Sequence, residues 1–366
     1  MNHAVDLAAQ PYRAPLGQRL AIRWQRMRRW EFWPAWLFYL PIIAWILWLG
    51  LRFRKPTAFT AANPAFESGG VVGESKAVAL AALMERAPDL VAAFELLPFE
   101  LPPALRIARA QAFVAAGSGY PVVLKPDIGS RGRGVAVIRN DEALVAYLTR
   151  AAGDVLVQRY VGGEEYGLFV YRDPRDGTAR LYSITHKCFP TVTGDGRRTL
   201  VELIADDPRA RLIAPLLWQR FAARLHEIPA RGRIVPLVEI GAHCRGSLFL
   251  DASELATPEL LALVARIFEA IPGFHFGRLD LRTPSAAALR AGGEMRLLEV
   301  NGVTAEAAHI YHPDTPLRRG YASMFRQWRL AFEIGAANAA RGAAITRPFE
   351  LLHRFRVDLK RGEAWF

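Results

Sequence analysis

The order of apolar and polar positions divides the chain into an apolar segment near its start and a longer body of mixed helices and strands. Residues 32–51 contain no charged side chain, and Pro41 lies within that run. Helical spacing of apolar residues predicts helices over 78–97, 105–116 and 318–343. Short apolar runs bounded by glycine, proline or polar residues predict strands over 121–125, 135–139, 154–161, 168–171, 276–282 and 295–301.

The apolar segment at 32–51 is long enough for a membrane. As one straight helix, 20 residues extend ~30 Å, about the hydrocarbon thickness of a bilayer. Six of the nine tryptophans lie between Trp24 and Trp48, and arginines flank both ends, as at a lipid interface. Pro41 favours a re-entrant helix-break-helix over a single span, and a buried pair of soluble helices is the alternative. We expect membrane association through 32–51 without crossing.

Composition limits the partners. The chain has 366 residues, a formal net charge of +12 and only two cysteines, Cys188 and Cys244. Two cysteines exclude a disulfide scaffold and a four-cysteine zinc site. The basic excess indicates an anionic partner, and its clustering beside the tryptophan-rich run favours lipid. We therefore expect no nucleic-acid partner.

A glycine-rich loop follows the strand that ends at Lys125. Residues 129–134 read Gly-Ser-Arg-Gly-Arg-Gly, and a second strand comes directly after them. Strand, glycine loop and strand can lay backbone N–H groups over a polyphosphate. Ordinary hairpins also use glycine, and no Walker motif is present. The loop is therefore a candidate phosphate site only in combination with other residues.

Two carboxylates and an amide are predicted to converge further along the chain. Asp280 lies in one predicted strand, and Glu299 and Asn301 lie two residues apart in the next. If the two strands pair antiparallel, the three side chains share one region of the sheet. Hard oxygen ligands suit Mg²⁺ and suit zinc poorly. The pattern predicts a magnesium site that bridges phosphates.

These motifs together resemble the ATP-grasp superfamily, and within it the carboxylate–amine ligases such as D-alanine–D-alanine ligase. The resemblance covers about residues 120–313 and rests on the following motifs: Lys125 with its glycine loop, 158–165, Arg278-x-Asp280 and Glu299-x-Asn301. Residues 190–203 further resemble a stretch of cyanophycin synthetase-type ligases. The implied fold is α+β, with two ATP-grasp subdomains that clasp ATP, preceded by the hydrophobic membrane-associated helical segment.

The resemblance implies a set of nucleotide contacts. The phosphates would be held by Lys125, Gly129, Ser130, Arg131, Gly132 and Gly134. Adenine would lie against Gln158, Arg159, Tyr160 and Val161, although many of these ligases have Glu in place of Gln158. Glu165 would bind the ribose hydroxyls.

The resemblance also implies the catalytic and metal ligands. Asp280, Glu299 and Asn301 would hold two Mg²⁺ ions, with Mn²⁺ as a substitute. Arg278 would stabilise the developing oxyanion and the acyl phosphate, and Lys187 and Arg245 would be further anion contacts. After Asn301 the chain departs from the family pattern at 302–304, which puts D-alanine specificity in doubt.

Residues 69–76 and Glu306 are each open to two interpretations, and three histidines have one interpretation each. Residues 69–76 form either a ligand loop or an ordinary helix start capped by Ser75. Glu306 is either an amine ligand or a solvated carboxylate. His309 and His312 fall where ligases of this type bind the second substrate, and His243 is expected to be structural.

The sequence divides into a basic apolar segment (1–55), a linker and reduced leading region (56–117), an ATP-grasp domain (118–316) and a helical basic tail (317–366). We expect an ADP-forming ligase of bacterial type that joins a small carboxylate to an amine, one of them lipid-linked or envelope-related. It would lie at the inner (cytoplasmic) membrane with its catalytic domain facing the cytoplasm. The alternatives are an ATP-grasp kinase and a non-catalytic nucleotide-binding protein at the membrane. The sequence does not define an oligomeric state.

Overall fold

The computed structural model describes residues 12–129, 132–243 and 246–363. The contacts between Cα atoms divide the chain into two compact units. The first comprises residues 1–39 and 187–249, and the second comprises 40–186 and 250–366. The candidate magnesium ligands and Lys125 all lie in the second unit.

Helices and strands alternate along the described chain. The α-helices are α1 (Leu16–Met27), α2 (Ala35–Arg52), α3 (Lys76–Arg86), α4 (Pro103–Ala115), α5 (Asp141–Arg150), α6 (Leu200–Asp206), α7 (Ala214–Arg220), α8 (Pro258–Ala270), α9 (Ala286–Arg290), α10 (Leu317–Ala340) and α11 (Pro348–Glu363). The strands are β1 (Phe94–Leu97), β2 (Val122–Pro126), β3 (Ala136–Ile138), β4 (Val155–Arg159), β5 (Glu164–Arg172), β6 (Ala179–Cys188), β7 (Thr191–Thr193), β8 (Ile234–Pro236), β9 (Leu248–Asp251), β10 (Phe276–Thr283) and β11 (Arg296–Asn301). The α+β class is confirmed.

A five-stranded sheet with the order β11-β10-β5-β6-β9 carries most of the second unit's core. Along β5, Leu168 and Val170 pack with the buried residues of α3 and α8, whereas Phe169 packs on the other side with Phe332 of α10. This alternation follows from the period of two in a strand. Because both faces are covered, a polar side chain in this sheet needs a polar partner or a ligand.

A second sheet, of order β1-β4-β2-β3, is antiparallel throughout. Its Val122, Leu124, Val155 and Val157 side chains form a core with α4 and α5. On the other face of the same strands lie Lys125 and Gln158, because they alternate with those residues. This second face therefore carries polar side chains among apolar ones.

The first unit has its own core. The buried side chain of Ile22 on α1 packs in one cluster with residues of α6, α7 and the β7–β8 pair. Glu31, only 5% exposed, accepts hydrogen bonds from Arg209 Nη1 at 2.8 Å and His243 Nε2 at 2.9 Å. A buried carboxylate with two such donors keeps its charge satisfied, and accordingly these donors hold the pKa of Glu31 below its usual value despite burial. His243 has a structural role here, as expected.

Two predicted elements need correction. The helix does not break at Pro41: α2 continues from Ala35 to Arg52 with Pro41 inside it. Proline removes one backbone donor, and the buried side chains of Phe38, Ile42 and Leu49 help hold the helix on both sides of it. The helix predicted over 78–97 ends at Arg86, and its last four residues form β1 instead, paired with β4.

Helix α10 approaches the chain segment at Ala58 so closely that only glycine fits at position 335. A Cβ atom there would lie 2.0 Å from the carbonyl oxygen of Ala58. We expect Gly335→Ala to lower the free energy of unfolding by about 1–3 kcal/mol, the range for overpacking, measured by urea titration. Gly17→Ala in α1, with no atom within 4 Å of the added Cβ, should be neutral or stabilising. Equal effects of the two substitutions would contradict this packing.

Candidate active site

The two sheets of the second unit meet at a buried lysine. Lys125, at the end of β2, is 5% exposed. Its Nζ donates to Gln158 Oε1 at 2.9 Å and to the carbonyl oxygen of Leu298 at 2.7 Å. Burial lowers the pKa of Lys125 to about 8, against the opposing charge of Glu299. The ammonium therefore links β2 and β4 of one sheet to β11 of the other.

The carbonyl group of Leu298 is available because the pairing of β10 and β11 is irregular there. Asp280 lies opposite Glu299, but the next residue, Leu281, lies opposite Leu297, so Leu298 has no partner in the ladder. Bulges of this kind leave a backbone group unpaired and are common beside active sites. The Leu298 oxygen accepts from both Lys125 Nζ and, at 3.4 Å, Gln158 Nε2.

The predicted carboxylates and amide lie together beside this bulge. The strands pair antiparallel as expected, with Asp280 opposite Glu299 and Arg278 opposite Asn301. Arg278 donates to both oxygens of Asp280, from Nε at 2.9 Å and from Nη2 at 3.1 Å. Asn301 Nδ2 donates to Asp280 Oδ2 at 3.3 Å. Arg278 therefore orients Asp280, and Asn301 contacts the same carboxylate.

The start of α3 contributes a second cation and a third carboxylate. Lys76 Nζ, nearly buried, donates to the carbonyl oxygens of Asp127 and Gly129 at 3.1 and 2.8 Å and lies 3.5 Å from Glu299 Oε1. Glu74 accepts a hydrogen bond from the Gly302 amide at 2.6 Å. Burial, together with the charge of Glu299, raises the pKa of Glu74 to about 8.

Of the two interpretations of 69–76, the structure shows the ordinary helix start, and the ligand loop stays a prediction. Ser75 caps α3, since its side chain accepts from the Val78 amide. Lys76 nevertheless pairs with Glu299, and the charge of Glu299 acts on Glu74, so both adjoin the site although the sequence did not single them out as site residues. The sequence signal for these two residues was the glycine-rich stretch directly before the start of α3.

The glycine-rich loop connects β2 to β3. Gly132 and Gly134 have φ of 68° and 70°, a conformation that favours glycine. Gly134 O accepts a hydrogen bond from Tyr147 of α5 at 2.5 Å, and Gly129 O accepts from Lys76. Both described ends of the loop are therefore fixed to helices. Ser130 and Arg131 lie outside the described residues.

The residues expected to contact adenine lie at the end of β4 and directly after it. Gln158 is 2% exposed and donates to Ala92 O at 3.3 Å, in addition to its contacts with Lys125 and Leu298. The guanidinium of Arg159 donates to the carbonyl oxygens of Phe113 and Val114 and lies 4.3 Å over the Phe113 ring. Its side chain therefore points to α4. Tyr160 is 40% exposed.

Glu165 lies in β5 opposite Arg282 of β10. Their side chains, 8% and 10% exposed, form an ion pair of 3.1 Å. Arg282 also donates to Val161 O at 2.7 Å and lies 5.3 Å over the ring of Tyr160. Arg282 thereby connects three predicted nucleotide residues. The sequence analysis did not select it, although it occupies the same face of β10 as Arg278 and Asp280.

Three further candidates are Lys187, Arg245 and Glu306. Lys187, 4% exposed, is at the end of β6 and belongs to the first unit, and Arg245 lies outside the described residues. In the second unit, Tyr311 donates to Glu306 Oε2 at 2.7 Å, and burial raises the pKa of Glu306 to about 7. Arg278 Nη1 donates to the Glu306 carbonyl oxygen at 3.3 Å. Glu306 is thus not a solvated carboxylate.

The donor set fits a magnesium ion. Among the described residues, no three His, Cys, Asp or Glu side chains come together as metal ligands. The set here is two carboxylates, Asp280 and Glu299, with the amide of Asn301, and each carboxylate has lone pairs beyond those its cation uses. Burial and then the charge of Glu299 raise the pKa of Glu74, and a divalent cation bound beside these carboxylates would favour their charged forms.

Comparison with known proteins gives partial matches. No family model matches the chain. The cyanophycin synthetase of Trichormus variabilis is 26% identical over 212 residues, which are 52% of this chain and 23% of that protein. The cyanophycin synthetase of Synechocystis is 25% identical over 227 residues, or 56% and 25% of the two chains. The chain thus spans about a quarter of the length of these curated relatives.

Solved structures give low similarity scores. D-alanine–D-alanine ligase from Bacillus anthracis has a TM-score of 0.43 and 12% identity, covering 76% of this chain and 72% of that one. The bifunctional glutathione synthetase from Pasteurella multocida has a TM-score of 0.36 and 19% identity, covering 71% and 38%. The resemblance to ATP-grasp carboxylate–amine ligases is confirmed, since the curated relatives are the kind of ligase that residues 190–203 resemble.

The ion pair of Glu165 and Arg282 should contribute measurably to stability because both side chains are buried. We expect Arg282→Met to lower the free energy of unfolding by about 3–5 kcal/mol, since it removes the charged partner of a buried carboxylate. The double variant with Glu165→Gln should be more stable than Arg282→Met alone. Urea titration of the wild-type protein and these two variants measures this.

The matched control is the exposed pair of Arg266 and Asp89, whose side chains are 53% and 58% exposed. Arg266→Met should change the free energy of unfolding by less than about 1 kcal/mol. A cost for Arg282→Met no larger than that of the control would contradict the burial of the Glu165–Arg282 pair.

Proposed function

We propose that the protein is an ATP-dependent, ADP-forming ligase that joins a carboxylate to an amine. The observation that carries the proposal is the meeting of Lys125, the Arg278–Asp280 pair, Glu299 and Asn301 where the two sheets join. The similarity to cyanophycin synthetases over about half of the chain supports it.

The first step makes the carboxylate reactive. A carboxylate oxygen of the substrate attacks the γ-phosphorus of ATP, a new P–O bond forms, and the bond to ADP breaks with its electron pair going to ADP. The product is an acyl phosphate. Phosphoryl transfer depends on positioning and charge neutralisation rather than on a protein nucleophile. Lys125 and the backbone of the glycine loop would hold the phosphates in place.

The second step forms the C–N bond. The neutral amine attacks the acyl carbon, the resulting oxyanion collapses, and inorganic phosphate leaves with the electron pair of the broken C–O bond, while the nitrogen loses a proton. Arg278 would stabilise the oxyanion, because its guanidinium is already fixed by Asp280 and by the Glu306 carbonyl oxygen. A preorganised donor of this kind is worth about 3–4 kcal/mol.

The magnesium ions would be held by Asp280, Glu299 and Asn301. The resemblance implies two such ions. Bound Mg²⁺ supplies charge neutralisation on the phosphates. In this chain, Lys76 and Arg278 keep the two carboxylates in place, because each is paired with one of them. The isosteric amide keeps one oxygen acceptor for the paired cation, and its introduction at either carboxylate should therefore lower turnover.

ADP release tests the proposal. We expect wild-type protein with ATP, Mg²⁺ and a panel of amino acids, small acids and amines to release ADP and phosphate only with a competent pair. Asp280→Asn should lower the rate at least 100-fold, since it removes a charged ligand. The exposed Asp89→Asn should leave the rate unchanged.

Product analysis separates the alternatives. A ligase releases inorganic phosphate and forms an amide, whereas a kinase releases ADP and retains the phosphoryl group on its product. Bound ATP without ADP release under any substrate pair would indicate a nucleotide-binding protein. Equal rates for wild type and Asp280→Asn would contradict the proposed role of Asp280.

We further propose that the ligase acts at the inner (cytoplasmic) membrane, on a lipid-linked or envelope-related substrate. Among the described residues, α2 is the one helix long and apolar enough to cross a membrane by length and composition, with a mean hydropathy of 1.6. Core helices of soluble proteins pass the same test, so its packing matters more. Trp45 of α2 donates to Phe325 O of α10 at 2.9 Å, whereas the following apolar residues are 51–78% exposed: Leu40, Ile43, Leu47 and Leu51.

A helix with one face on its own protein and one apolar face exposed suits the surface of a bilayer better than its interior. We expect the full chain to float with vesicles of neutral phosphatidylcholine, and Ile43→Asn with Leu47→Asn to reduce the floated fraction severalfold. Ile228→Asn, at a 52% exposed residue of the first unit, is the matched control. An unchanged fraction in the double variant would refute lipid contact through α2.

A further inference from the structure

Helix α1 has an exposed apolar stripe that the segment 32–51 does not include. Leu16, Leu20, Trp24 and Met27 are 68%, 56%, 60% and 58% exposed. At 100° per residue these four positions lie within about 80° of one another around the helix axis. The opposite side is occupied, because Ile22 is 3% exposed and packs in the core of the first unit. The stripe therefore faces away from that core.

The flanks of the stripe are positively charged. Arg19 and Arg23 are exposed on the helix surface beside it, and Arg28 and Arg29 follow at its C-terminal end. The helix contains no acidic residue. An amphipathic helix with apolar residues on one side, arginines beside them and low overall hydrophobicity is the pattern that binds an interface containing anionic lipid.

The helix is held in position, so the stripe is a surface rather than a loose segment. Directly after α1, Glu31 is fixed by Arg209 and His243 of the same unit. Tyr12, before α1, packs on Trp218 with ring centroids 5.3 Å apart. Since both flanks are attached, α1 presents its apolar side without unfolding, and binding does not pay for ordering the helix.

We propose that the outer face of α1, formed by Leu16, Leu20, Trp24 and Met27 with Arg19 and Arg23, is a docking surface for anionic lipid. The inference rests on the proposed membrane location and adds the lipid class to it. Each arginine near an anionic surface adds electrostatic attraction to it. The surface makes attachment sensitive to lipid charge, which the uncharged stripe of α2 does not provide.

The test is co-flotation of the full chain with two kinds of vesicle, pure phosphatidylcholine and phosphatidylcholine with about one third phosphatidylglycerol. We expect at least tenfold tighter binding to the anionic vesicles at low salt, and loss of that difference as salt is raised. Leu20→Asn with Trp24→Asn, and separately Arg19→Gln with Arg23→Gln, should each reduce anionic binding to the level of neutral vesicles. Arg86→Gln with Arg197→Gln, at two exposed arginines elsewhere, should leave it unchanged.

Circular dichroism and ATP binding of each variant show whether it is folded. The variant Arg19→Gln with Arg23→Gln keeps the apolar surface. It therefore still tests the inference if Leu20→Asn with Trp24→Asn does not fold. Equal binding to the two vesicle types, or anionic binding that survives the charge variant, would overturn the inference. So would a stripe that joins two copies, seen as a dimer that the apolar variant converts to a monomer. Failure of ADP release with intact anionic binding would instead contradict the ligase alone.

Discussion

The structure of the second unit depends on the buried ammonium of Lys125. It is the point where β2, β4 and β11 come together, because its donors reach Gln158 and the unpaired carbonyl oxygen of Leu298. A buried cation is costly unless its partners are in place, so the irregular pairing in β11 and the ammonium require each other. The neighbouring carboxylates and the glycine loop are positioned by the same junction, through Lys76 and Arg278.

The pairing of the charged residues follows from the helices that cover the sheet. Helices pack on both faces of the five-stranded sheet, and so the charged residues on β10 are paired, one pair along the strand and one pair across to β5. Arg278 pairs with Asp280, and Arg282 pairs with Glu165. A chain built in this way holds its ionic groups rigidly, which suits the proposed phosphoryl transfer by positioning.

Much of this arrangement could be read from the sequence, and part of it could not. The alternation around Asp280 and the spacing of Glu299 and Asn301 predicted the antiparallel pairing that the structure has. The bulge at Leu298 has no signal in residue type. The predicted break at Pro41 was wrong. Proline inside a helix usually breaks it, but packing on both sides of Pro41 holds α2 together. The strand Phe94–Leu97 was read as helix because short apolar runs do not distinguish the two.

The central claim is that this junction binds a nucleotide, and calorimetric titration of ATP into wild-type protein and a Lys125→Met variant tests it most directly. The exposed Lys55→Met serves as the matched control. The account predicts binding by wild type and by Lys55→Met, and affinity at least tenfold weaker for a folded Lys125→Met, because a cation facing phosphate is lost. Wild-type protein that binds no ATP would contradict the account, as would a folded Lys125→Met variant that binds as tightly as wild type.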